Sequence, residues 1–97
     1  MNLLTDEIRR ALPPLRSTEE LGFEAPIIVK FFTPTSNWTW YATEFDGDDL
    51  FFGLVDGHEK EIGYFSLSEL ESVQGPLGLG IERDLYFGTD HTLKEFM

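Results

Sequence analysis

Hydrophobic residues change their spacing partway along the chain. Leu4, Ile8, Ala11, Leu12 and Leu15 recur at three- and four-residue intervals, the period of one helix face. Thr5 stands before Asp6 and Glu7, with Arg9 and Arg10 a turn later, so a capped helix with its charges matched to its dipole is expected. Pro13-Pro14 ends it. Residues 16–25 read as a polar connection with room for one helical turn around Thr18 to Leu21.

Beyond Pro26 the period falls to two, the alternation of a strand. PIIVKFFT (26–33), Trp38 to Phe45, Leu50 to Val55 and Glu61 to Phe65 read as four strands. Pro34 with Ser36-Asn37, Asp46-Gly47 and Asp56-Gly57 punctuate them. Short turns in succession predict an antiparallel meander. In the second strand, alternation puts Trp38, Trp40, Ala42 and Glu44 on one face, with Thr39, Tyr41, Thr43 and Phe45 on the other. Phe51 and Phe52 point opposite ways. Ser66 with Glu69 has the spacing of a capping box, opening a short helix from Leu67 to Val73. QGPLGLG (74–80) is a loop, Ile81 to Phe87 a fifth strand or an extended arm, and the last ten residues fray or make a final helical turn.

The expected class is α+β: a four- to five-stranded antiparallel meander sheet, an N-terminal helix and a short helix after the fourth strand. Two small helices cover one sheet face. The other is covered by residues 74–97 or left for a partner. Ninety-seven residues suffice for one domain, 1–97, and not for two.

Charge alters this picture. Eighteen acids against seven Lys and Arg give a formal net charge of −11, while 41% hydrophobic residues argue for a folded chain. A negative field opposes direct binding to nucleic acid or anionic lipid, because phosphate affinity comes from Lys and Arg displacing counterions. The fitting partner is a basic surface on a nucleic-acid-binding protein or complex. Glu44, Asp46, Asp48, Asp49, Asp56, Glu59 and Glu61 fall within eighteen residues whose only fixed positive charge is Lys60, and they are the candidate partner-binding residues. The same acids also read as solvated turn residues that blunt strand edges.

Candidate chemistry is thin. No cysteine means no disulfide, thiolate or Cys-based metal site. Asp46-Gly47-Asp48-Asp49 fails the calcium-loop pattern, since Leu50 stands at the third ligand position and no Glu follows at the twelfth. His58 and His91 lack a second ligand at metal-binding spacing. Trp38 and Trp40 have the spacing of a base-stacking platform, yet only Lys30 among cations is near them in sequence, which favours packing. No enzyme activity, cofactor or metal is expected. MNLLTDEIRR lacks a basic, then apolar, leader pattern, and no apolar run approaches the ~20 residues of a membrane helix, so the cytoplasm is the expected compartment.

VKFFTPTSNWTWYATEFDGDDLFFGLV and, further on, ELESVQGPLGLGIERDLYF closely resemble the domain-of-unknown-function 2958 family, from about Leu3 to Phe87. KFFTP, WTWYATEFDG and GPLGLGIERD are the distinctive stretches. The family supplies no catalytic residues. The resemblance implies an origin on plasmids, conjugative elements or phage-related DNA. With the charge, that context leads to an expected function: a non-enzymatic, DNA-mimic-like inhibitor of a host defence complex, of the anti-CRISPR or anti-restriction type. The alternative is a structural or regulatory accessory protein of plasmid or phage DNA maintenance or transfer, binding through an apolar sheet face.

Overall fold

The computed structural model describes residues 2–97. Helix α1 spans Asp6–Ala11, with Thr5 accepting from the Ile8 amide at 3.1 Å, as the sequence predicts. The helix closes at Leu12, the residue before Pro13, where a following proline disfavours helical backbone. A 3-10 segment, Glu19–Glu24, kinks at Gly22 and occupies the expected polar connection.

Five strands follow: β1 Val29–Phe32, β2 Thr39–Phe45, β3 Leu50–Asp56, β4 Lys60–Ser66 and β5 Glu82–Arg83. Helix α2, Leu67–Ser72, continues directly from β4. The sheet is antiparallel in the order β4-β3-β2-β1-β5. The meander and both helices are therefore as expected. The fifth strand is only two residues long, and the chain beyond it runs on as an arm tied by Asp84 N–H to the Lys30 carbonyl at 2.9 Å.

One register irregularity changes what the strand pattern means. β2 pairs Ala42 with Gly53 and then Glu44 with Phe52, so Thr43 is an extra residue in a bulge. An inserted residue exchanges the two faces beyond it. Phe45 consequently joins Ala42 in one core cluster, and Glu44 turns to the side of Tyr41. Simple alternation predicts the reverse for both. Thr43 is buried, and its hydroxyl donates to the Phe52 carbonyl at 3.2 Å.

Both sheet faces carry a core. On the helix-covered face, Leu3, Leu4, Leu12, Leu67, Leu70 and Ile81 pack over Val29, Phe31, Phe45 and Phe51. Phe51 sits at its centre, with ring centroids 5.5 Å from Phe31, 4.6 Å from Phe45 and 5.3 Å from Phe65. Such offset and tilted pairs add to the stabilisation from burial. On the opposite face, Ala25, Ile27 and Leu93 enclose Tyr41 and Leu54 with help from Phe87 and Phe96. The C-terminal residues do not fray. They form a 3-10 turn, Leu93–Phe96, closed by a reciprocal Thr92–Glu95 capping box, and Phe96 stacks on Tyr41 at 4.5 Å. The second face is thus largely covered from within the chain.

Candidate functional site

The seven acids that are neighbours in sequence separate into three environments. Glu44 is the outlier, for it is 3% exposed. The bulge aims its carboxylate at the 14–18 segment, where it accepts from the Arg16 amide at 2.7 Å, the Thr18 amide at 2.9 Å and the Thr18 hydroxyl. Burial raises the carboxyl's pKa, but these donors together outweigh it and leave it below the ordinary glutamate value. Arg16 adopts a left-handed backbone, φ 73°, so its amide bond to Glu44 helps hold a conformation that non-glycine residues avoid. The expectation that Glu44 belongs to a partner-binding surface is corrected: it is an internal clasp. It stands at one side of a cleft of about 200 Å³ that Arg16, Thr18, Phe52 and Tyr64 also line.

The turn between β2 and β3 holds Asp46, Asp48 and Asp49. Asp46 accepts from the amides of Asp48, Asp49 and Leu50 at 2.8, 2.9 and 3.0 Å, which lowers its pKa. Gly47 takes φ +89° beside it, the backbone that an Asp-Gly turn supplies without a side-chain clash. Asp49 reaches the start of α2, accepting from the Ser66 hydroxyl at 2.5 Å, the Ser68 amide at 2.8 Å and the Ser68 hydroxyl at 2.9 Å. Those bonds, led by Ser66, lower its pKa too. The capping box expected from Ser66 and Glu69 is therefore shared: Ser66 accepts from the Glu69 amide at 3.3 Å, and the acid that completes the cap comes from another turn. Of the three, only Asp48 keeps an exposed carboxylate without a hydrogen-bond or ion-pair partner among the described residues.

The turn between β3 and β4 holds the rest. Asp56 is half-buried, Glu59 and Glu61 are exposed, and none of their carboxylates has a hydrogen-bond or ion-pair partner among the described residues. Gly57 is needed here for space rather than for its φ: a Cβ on it would lie 2.3–2.5 Å from the Trp38 ring. That indole stacks on Trp40 at 5.9 Å and meets the edge of His58 at 5.3 Å. Trp38, Val55, His58, Glu59 and Glu61 line an open groove of about 460 Å³. Strand β3 has seven residues, so at about 3.3 Å per residue the two acidic turns lie on the order of 20 Å apart. That exceeds the screening length of about 8 Å in physiological salt, which makes them two patches and not one.

Among the described residues, no group of three or more His, Asp or Glu side chains is placed to hold a metal ion. No helix among them is long and apolar enough to cross a membrane. What fold and surface define is a small acidic α+β domain built on one open antiparallel sheet, with Asp56, Glu59 and Glu61 at its β3–β4 turn and Asp48 at the turn before β3. The chain belongs to the family described as "Protein of unknown function (DUF2958)", whose model matches residues 3–97. That span includes the C-terminal turn, beyond the Leu3 to Phe87 stretch that carries the resemblance. No curated protein and no solved structure matches the chain.

Proposed function

We propose that this protein is a non-enzymatic inhibitor that docks its acidic surface on a basic, nucleic-acid-binding site of another protein. The mobile-DNA context implied by the family resemblance makes a host defence complex, a CRISPR effector or a restriction enzyme, the class of target. One observation carries the reading. After Glu44, Asp46 and Asp49 are assigned to internal bonds, Asp48, Asp56, Glu59 and Glu61 remain without ion-pair partners in a chain of net charge −11. Three of these four gather at the β3–β4 turn. Complementary charge speeds encounter and selects a basic partner.

The test is DNA binding by a candidate defence complex with and without this protein. Inhibition that weakens steeply as salt rises, and that is lost in the triple variant Asp56→Asn, Glu59→Gln, Glu61→Gln, supports acidic docking. Inhibition indifferent to those changes removes it.

A second reading, an accessory protein that binds through apolar surface, keeps one specific foothold. Ile62 and Tyr64 on β4 are 38% and 53% exposed, and Tyr64 packs edge-on against Phe52. Binding through that corner would persist in high salt and fail on Tyr64→Ala.

A further inference from the structure

The groove at the β3–β4 turn combines aromatic faces with unpaired carboxylates, and that combination selects a ligand chemistry. Register places Trp40, Val55 and Glu61 side by side across β2, β3 and β4, so this carboxylate and the indole share a face. Trp38 extends the aromatic surface, with Gly57 packed close to the six-membered part of its indole and His58 in a T-shaped contact with it. Glu59 and Glu61 form the open rim. Lys60 does not fill the groove, because it alternates with Glu61 and sits opposite Asp56 on the other side of the sheet.

We infer that this groove seats an arginine side chain of the partner, its guanidinium stacked on Trp38 and paired with Glu59 and Glu61. An indole face attracts cations, and a carboxylate supplies the opposite charge. Arginine fits better than lysine, because its planar guanidinium stacks on a ring while its forked N–H groups reach a carboxylate. A nucleobase would also stack, but its phosphates would meet Glu59 and Glu61. This assignment rests on the reading above that the partner is basic, and it names the contact.

The experiment titrates the full chain with a blocked hexapeptide of alternating glycine and arginine. The lysine and glutamine counterparts and a single-stranded oligothymidylate are run in parallel. Indole fluorescence and the Trp38 and Trp40 indole N–H resonances report occupancy. The arginine peptide is expected to shift the Trp38 resonance saturably. Trp38→Leu is expected to weaken it about 3- to 30-fold, the range that a cation–π contact supplies, and to weaken the lysine peptide by a smaller factor, since only the guanidinium also stacks. Glu59→Gln with Glu61→Gln, both at exposed sites, should weaken both cationic peptides and keeps the test open if Trp38→Leu does not fold. Equal affinity for arginine and lysine peptides, an arginine affinity indifferent to Trp38→Leu, or binding of the oligonucleotide overturns the assignment.

The two readings fail separately. If the arginine peptide binds as described but no nucleic-acid-binding complex is inhibited, the proposed function falls and the groove stands. If inhibition depends on Glu59 and Glu61 while arginine binding ignores Trp38, acidic docking stands and the groove assignment falls.

Discussion

The buried carboxylate of Glu44 accepts the amide hydrogen of Arg16 at 2.7 Å across twenty-eight residues of sequence. The bond ties the left-handed turn at Arg16 to the middle of the sheet, and the Thr18 amide and hydroxyl complete the clasp. Glu44→Ala should therefore lower stability by about 2–3 kcal/mol, since it leaves donors near a buried position without their charged acceptor. Denaturant unfolding measures this, and an unchanged midpoint would refute the clasp.

The same carboxylate predicts a pH dependence. Its folded pKa lies below the ordinary value of 4.5, so the stability it contributes is present above pH 4.5 and is withdrawn as pH falls through the folded value. Asp46, Asp49 and Glu95 are shifted in the same direction, mainly by backbone and hydroxyl donors. Thermal midpoints should hold from neutrality to about pH 5 and then drop. In Glu44→Gln the drop should be shallower.

Asp48 and Asp49 allow a matched comparison, because either change to Asn removes one charge from the same turn. Asp49→Asn should lower the thermal midpoint by loosening the start of α2, where Asp49 holds Ser66 and Ser68. Asp48→Asn should leave it unchanged or slightly raised, since relieving like charge costs no bond. Equal effects of the two would mean that net charge, not the cap, governs this turn.

Gly57→Ala should displace the Trp38 indole, because the added methyl meets the ring at 2.3–2.5 Å. The expected signs are a shifted tryptophan emission and a cost of about 1–3 kcal/mol from overpacking. Native emission in this variant would show that the ring is not held where it stacks on Trp40.

Leu93 is 2% exposed and closes the second core beneath the C-terminal turn. Leu93→Ala should cost about 2–4 kcal/mol, as a cavity left in a packed site does. Amide hydrogen exchange should then rise at residues 91–97 and around Tyr41. Protection that stays native would mean that the turn is held by Phe96 and the Thr92–Glu95 box instead.

The helix–meander–helix order was legible because each element announces itself locally: Thr5 and Ser66 as caps, Pro13 as a stop, Asp-Gly pairs as turns. Glu44 was not legible. A single bulge at Thr43 inverts the alternation beyond it, and nothing in a two-residue period marks where an extra residue will be absorbed. The C-terminal turn was half legible, for Thr92 and Glu95 have capping-box spacing, but no run of helical period follows them.

Sequence by itself determined the composition of the acidic segment, the −11 charge, the strand and helix types and the family, because these depend on residue identity and short-range period. Only the tertiary structure decided what each acid does. Folding drew Glu44 inside, put Asp46 and Asp49 to work at a turn and a helix start, and left Asp56, Glu59 and Glu61 at the β3–β4 turn, the last two beside Trp38. The reason is geometric: adjacent turns of an antiparallel meander lie at opposite ends of the strand between them, so a charge cluster in sequence becomes two patches in space.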